Sequence, residues 1–396
     1  MQKFTLLLLT LVLFGPLGID LYLPVLPAIA NGLHSPISLM QLTIPLFLLI
    51  MGLGQLVAGP LVDNLGRKPV ALTGIALYLA GSTLAACAPG WQLFFVARVV
   101  QGCAVCCTAV VAFSGVRDRL AGDDAARAYS FLNGALNIVP ALAPLLGGLL
   151  GASLGWRAPF WLLSFYALII GLLVIFFLPE TRPSTTLRSR GIPLRQYSQI
   201  IRRADFLLFA AANAGVMGMV LTYVSLAPEV LMNQAQLTPL QFSFAFGANG
   251  LWIMLFSMVV NKMIRKVGRP ACLLAGALAQ LVAALLLLAE ITLLPVAIQH
   301  AWFGYMLPVV IACAGLAWTV GPATSYALEP WPQQAGVASA LMGFIQMAGG
   351  AAVGMLVMAL PLSEKVALLV MMALAALLCL LAWRMSKKMR GHITAL

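Results

Sequence analysis

The chain has 396 residues, of which 62% are apolar and 9% charged, against roughly a quarter charged in a soluble domain. A soluble fold of this length cannot cover itself with so few charges, so composition selects the membrane class. The 23 Lys and Arg against 11 Asp and Glu leave a net charge of +12, but these cations sit almost wholly in short loops, where they set membrane orientation instead of marking a nucleic-acid partner.

Crossing a bilayer takes about 20 mostly apolar residues as a helix. Such stretches predict twelve spans, at 4–30, 39–60, 70–88, 92–115, 127–152, 158–178, 205–230, 239–260, 271–292, 300–322, 337–360 and 366–384. The expected fold class is therefore an all-α integral membrane protein. Lys3, the run Leu6–Phe14 and Ala28-Ile29-Ala30 imitate a signal peptide. The apolar segment is too long for one and holds an acid, so it reads as a span.

That acid, Asp20, lies about two-thirds of the way across the first span. A carboxylate in hydrocarbon is expensive, so intramembrane acids usually face a cavity and serve transport. Asp20 is placed to take a proton on one side and release it on the other. The bland alternative is a carboxylate fixed by a packing hydrogen bond. Tyr22 follows it closely as a candidate cavity residue.

After the second span comes Gly59-Pro60-Leu61-Val62-Asp63-Asn64-Leu65-Gly66-Arg67-Lys68-Pro69-Val70. Glycines suit a tight turn between packed helices, and Pro69 suits the first turn of the third span. Asp63 is placed to meet a helix N-terminus or Arg67. Arg98 is the one basic residue buried within a span, about six residues, or roughly 10 Å, inside the outer end of the fourth. It needs a carboxylate, backbone carbonyls or water. A partnership with Asp20 and a purely structural role both remain open. Cys103, Cys106 and Cys107 fall mid-span and read as packing.

The fifth span, 127–152, is interrupted by Pro140 and Pro144, which membrane helices tolerate when neighbours satisfy the freed backbone. Asn133 and Asn137 stand one turn apart on it, suited to line a cavity or to pack helices by hydrogen bonds. Residues 179–203 form the one long polar connection and divide the chain into an N-terminal bundle, 1–178, and a C-terminal bundle, 204–396. In the second half Tyr223 and Gln346 are cavity candidates. Glu229 and Glu290 lie near outer span ends and are expected to reach water, with Glu229 kept as a further cavity candidate. Trp91, Trp156, Trp161 and Trp302 are assigned to the outer aromatic belt.

The loops fix the expected orientation. One set holds twenty Lys and Arg, the other only Arg157 and Lys365, so both termini and the loop after every even span are expected on the cytoplasmic side. The halves echo weakly: Gly66-Arg67-Lys68-Pro69 is answered by Gly268-Arg269-Pro270, and Ser130-x-Leu132-x-Gly134 by Ser339-x-Leu341-x-Gly343. Two parallel six-helix halves around a midplane site describe one large transporter architecture.

On these residues the chain resembles the major facilitator superfamily. The loop 59–70 resembles its signature between helices 2 and 3, and Arg98-x-x-Gln101-Gly102 its helix 4 signature. Asn133-Gly134 through Ala143-Pro144-Leu145-Leu146-Gly147-Gly148 resembles the helix 5 signature of drug–proton antiporters. Asp20-Leu21-Tyr22-Leu23-Pro24, Val116-Arg117-Asp118 and Pro179-Glu180-Thr181-Arg182-Pro183 narrow the likeness to the Bcr/CflA type of multidrug efflux transporter, in its MdtL-like branch.

The resemblance implies twelve transmembrane helices in two six-helix bundles and alternating access, a proton entering as a small amphiphilic, chloramphenicol-like drug leaves. It implies proton coupling at Asp20 and Arg98, and a conformational latch of Gly59, Asp63, Gly66, Arg67 and Lys68. It also implies a helix 5 antiporter motif of Pro140, Pro144, Gly147 and Gly148. Ala143 stands where the family usually has a glycine, as does Val139, and Asn261 replaces the acid of a duplicated latch. The second half is therefore expected to lack the charge lock. A proton-coupled exporter or symporter of a polar metabolite or siderophore is the alternative.

No Gly-x4-Gly-Lys-Ser/Thr phosphate loop or His-Glu-x-x-His occurs, and His34, His300 and His392 fall in loops or span ends. No enzyme activity, catalytic residue, metal or cofactor is expected. The expected partners are a small-molecule substrate, protons and the lipid bilayer, without nucleic acid. The expected setting is a monomer in the bacterial inner membrane.

Overall fold

The computed structural model describes residues 2–120, 122–182, 193–295, 301–331 and 334–393. Among them eleven helices are long and apolar enough to cross a membrane. These are built from α1 (Gln2–Asp20) with α2 (Leu26–Gly32), α3 (Ile37–Gln41) with α4 (Thr43–Leu65), α5 (Arg67–Ala86), α6 (Trp91–Arg119), and α8 (Ala158–Phe177). They continue with α10 (Ala204–Pro228), α11 (Pro239–Val267), α12 (Arg269–Leu293), α13 (Trp302–Leu328), α14 (Ala335–Phe344) with α15 (Gly350–Met358), and α16 (Glu364–Ile393). The fifth predicted span is one helix, α7 (Gly122–Leu154), whose described apolar part is the shorter Ile138–Leu154. An amphipathic helix, α9 (Leu194–Ile201), follows the undescribed stretch 183–192. No strand occurs among the described residues.

Proline breaks the first crossing. α1 ends at Asp20, and Pro24 and Pro27 each open a new helical piece, the 3-10 turn Leu23–Val25 and α2. Proline lacks the N–H that would continue the ladder but suits a first turn. The second crossing differs from its predicted end at 60: α4 runs on to Leu65, so Gly59 and Pro60 lie inside a helix. The turn itself is one residue. Gly66 caps α5 at φ +100°, ψ 164°, and Gly268 caps α12 at φ +83°, ψ 164°. Only glycine adopts that backbone cheaply, so the weak sequence echo between the halves is a shared backbone conformation.

The residues pack as two units. Unit 1 is Met1–Ile192 with Thr238–Leu251, and unit 2 is Pro193–Leu237 with Trp252–Leu396. In unit 1, α5 and α6 approach at glycines: a Cβ on Gly81 would stand 3.1 Å from the Ala97 carbonyl oxygen. Small residues let membrane helices come this close, and van der Waals contact then holds them.

Candidate functional site

The first cluster lies where α1 breaks. Arg98, seven residues into α6, is fully buried. Its Nη1 donates to Gln101 Oε1 at 2.6 Å, and Gln101 Nε2 donates to Ser82 Oγ at 2.8 Å. The guanidinium lies between two rings, 4.6 Å from the centroid of Tyr22 and 4.5 Å from that of Phe47. Such cation–π contacts are worth about 2 kcal/mol or more when desolvated. Its Nε and Nη2 find no hydrogen-bond acceptor among the described residues. Tyr22 shares a hydrogen bond of 2.9 Å with the Thr43 hydroxyl, which in turn donates to the Met40 carbonyl.

Asp20, the last residue of α1, is 7% exposed. It forms no ion pair within 4.0 Å of Arg98. Tyr22 lies within electrostatic reach of both charges. Arg98 is thus held by rings and an amide while two of its donors point at no acceptor, and the acid stands one helix break away. A cation so placed can stabilise an anion that arrives or ionises near Tyr22.

The helix 5 glycines shape this break. A Cβ on Gly147 of α7 would overlap the Leu21 carbonyl oxygen, and one on Gly148 would meet Ser243 Oγ of α11 at 2.9 Å. Ser243 also donates to the Pro144 carbonyl at 2.8 Å. Pro140 and Pro144 lie inside α7. The side chains of Asn133 and Asn137 fall outside the described residues.

The second cluster gathers around Arg67, the first residue of α5, 1% exposed. Its Nε donates to Asp118 Oδ2 at 2.6 Å, its Nη1 lies 3.3 Å from Asp63 Oδ1, and Nη1 also donates to the Val62 carbonyl. Glu180 accepts backbone N–H bonds from Arg67 at 2.8 Å, Lys68 at 3.1 Å and Arg182 at 2.9 Å. An acid there fills the helix N-terminus that would otherwise leave N–H groups orphaned. Partial burial alone would push the Glu180 carboxyl up, but the three backbone donors and the nearby Arg67 hold it below its ordinary value. Lys68 Nζ reaches the Ile175 carbonyl at 2.8 Å, and Arg182 ties back to the Asn64 carbonyl. Six charged side chains from α4, α5, α6 and the segment after α8 thus close one ring around Gly66. Gly59 stands apart from it, facing open space in α4.

Asp118, Glu180, Gln101 and Phe47 were not singled out as site residues from sequence. The signals were there in part: Asp118 and Glu180 sit in the two family fragments after the fourth and sixth spans.

In unit 2, two expectations are corrected. Arg269 donates to Glu329 at 3.0 Å and to Ser325 at 2.9 Å, and lies 4.1 Å over Tyr326. That half therefore has a charge contact of its own, supplied from the end of α13 instead of from position 261. Both partners are substantially exposed, so it is the weaker lock. Glu290 does not reach water: it is 3% exposed and pairs with Lys365 at 2.6 Å. In unit 1, Trp156 leaves the predicted aromatic belt and is buried against Gly32.

Of the cavity candidates, Tyr223 is buried 6.3 Å from the ring of Tyr305. Glu229 accepts from Asn233 at 2.6 Å. Glu229 opens one π-helical segment, Glu229–Gln234, and Gln346 sits in the other, Ile345–Gly349. Such bulges often mark functional sites.

The family model described as Major Facilitator Superfamily matches residues 8–355. A chloramphenicol resistance protein of Pseudomonas aeruginosa is 32% identical over 337 residues, covering 83% of this chain and 77% of the relative. The multidrug resistance protein MdtL of Shewanella sp. (strain ANA-3) is 30% identical over 350 residues, with 88% and 86% covered. That of Shigella flexneri is 32% identical over 351 residues, again with 88% and 86% covered. Among solved structures, a D-xylose-proton symporter aligns with a TM-score of 0.76 at 15% identity, covering 96% of this chain and 97% of its own. A peptide transporter POT in complex with sulfate aligns at 0.78 and 15%, covering 98% and 94%. At such identities the likeness is one of fold.

Proposed function

The chain belongs to the Major Facilitator Superfamily, and from that premise we propose that it is a drug efflux transporter, exporting small amphiphilic compounds of the chloramphenicol kind in exchange for protons. The relatives named for chloramphenicol and multidrug resistance support the substrate class, and proton coupling follows from the family. The observation that carries the mechanism is that a buried acid at the break of α1 and a buried, incompletely satisfied arginine both lie within electrostatic reach of Tyr22.

In this reading Asp20 holds a proton while its side of the bundle faces outward and gives it up facing inward. Drug then displaces proton, and Arg98 stabilises the ionised acid through the Tyr22 region. The proton and the drug compete, so neither crosses twice in the same direction. The bundles 1–178 and 204–396 are the two bodies that rock, joined by 179–203. The Arg67 ring holds one of their arrangements and opens in the other, with Gly59 serving the alternative arrangement. Tyr22, Asn133, Asn137, Tyr223, Glu229 and Gln346 are the proposed cavity residues. The chain acts as a monomeric transporter, not an enzyme, in the bacterial inner membrane with both termini cytoplasmic.

The test is export from proteoliposomes under an imposed pH gradient. Drug flux that follows the gradient in wild type and stops in Asp20→Asn supports the reading. Flux indifferent to the gradient would mean a pore, and gradient-driven flux that survives Asp20→Asn would remove Asp20 from the coupling.

A further inference from the structure

We infer that unit 1 holds one anionic phospholipid in a cleft at the shared end of α1, α6 and α8. The cleft encloses about 670 Å³, within the roughly 300–1,000 Å³ usual for small-ligand sites. Lys3 from the start of α1 and Arg119 from the end of α6 line it together with Leu6, Leu7, Leu173 and Phe177. No acidic residue lines it among the described residues.

The lining changes along α1 from charged to apolar, as an amphiphile does. From Lys3 to Thr10 is seven residues of α1, about 10 Å. That is the distance from a headgroup phosphate to the upper part of its acyl chains. Arg119 is steadied over the Phe4 ring at 5.7 Å. Seven residues along α1 the polar groups of Thr10 are already used: its hydroxyl donates to the Leu7 carbonyl, and its own carbonyl accepts from the Tyr166 hydroxyl. That end therefore favours hydrocarbon. Leu6 is 51% and Phe177 69% exposed, so the walls open onto the outer surface.

The chemistry selects the ligand. Two cations on different helices favour a phosphodiester, and basic pockets between membrane helices are known takers of acidic headgroups. A zwitterionic lipid brings an ammonium group that Lys3 and Arg119 repel. Inorganic phosphate would leave the apolar walls wet. A cationic drug meets the wrong charge. The inference stands independently of what the transporter exports.

The test is native mass spectrometry of the delipidated full chain in detergent, titrated with phosphatidylglycerol or with phosphatidylcholine of the same acyl chains. One phosphatidylglycerol is expected to be retained in preference to phosphatidylcholine. Lys3→Gln and Arg119→Gln are each expected to weaken it about fivefold, and the double variant about 25-fold, from the usual contribution of a basic residue at the surface. Arg119→Lys should largely keep it. Raising the salt on wild-type protein should weaken retention without any substitution, which guards against a variant that misfolds. Equal retention of the two lipids, an unchanged double variant, or displacement by inorganic phosphate alone would overturn the inference.

Discussion

The Nε of Arg67 at the start of α5 donates to Asp118 at the end of α6 across 2.6 Å, with both side chains almost wholly excluded from solvent. The contact joins residues 51 apart in sequence and makes one unit of the ring around Gly66. An arginine so buried is bound to its carboxylate in a way a surface pair is not.

Removing one partner should therefore be costly. Asp118→Ala is expected to destabilise the protein by about 3–5 kcal/mol, because it strands Arg67 without its main counter-ion. Arg117→Ala next door should cost little, since Arg117 is 64% exposed and 3.8 Å from Asp118. Denaturant unfolding in mixed micelles distinguishes the two. Similar losses from both substitutions would show that the pair does not hold the ring.

Two glycines should respond oppositely to the same change. Gly147→Ala drives a methyl onto the Leu21 carbonyl and is expected to lower Tm by several degrees and impair transport. Gly59→Ala meets nothing within 4 Å inside α4 and should raise stability slightly, by up to about 1 kcal/mol. A thermal-shift comparison reads both, and equal effects would contradict the packing described.

Glu180 gives a pH dependence. Its carboxyl is held below the ordinary value, so its ionised form is favoured by folding. That contribution is fully present above the ordinary carboxylate range, near pH 4.3, and is lost as pH falls through the depressed folded value. Wild type should thus be more stable than Glu180→Gln at pH 7, with the gap closing in acid below about pH 4. A gap that widens toward acid would refute the assignment.

Much of the fold was legible because spans write themselves in hydropathy. What was not legible is instructive. Gly59-Pro60 read as a turn, yet in hydrocarbon a helix keeps its ladder through a proline when its neighbours allow, and α4 continues to Leu65. The Gly66 turn was readable because only glycine suits its backbone. Asp118 and Glu180 carried no sign that both end at Arg67, since 51 and 113 residues separate them from it. Glu290 looked interfacial by position, but Lys365 from a different helix covers it. The Arg269–Glu329 contact was not legible because its acid comes from the end of α13 and not from the position where the first half keeps Asp63.

Arg98 tests whether shape or charge matters at the membrane cluster. Arg98→Lys keeps the charge but cannot lie flat between Tyr22 and Phe47 while donating to Gln101. Losing one buried charge-assisted bond of about 1.5–3 kcal/mol predicts transport reduced some 10- to 100-fold. Tyr22→Phe, which keeps the ring and loses only the bond to Thr43, should be milder. If lysine supports wild-type transport, the ring sandwich is not needed.

The most direct measurement is proton release from the purified protein in weakly buffered detergent on adding chloramphenicol or related drugs, wild type against Asp20→Asn. Competition of drug and proton at Asp20 predicts a release from wild type that disappears in the variant. Release of the same size from both, or drug binding to wild type without any release, would contradict it.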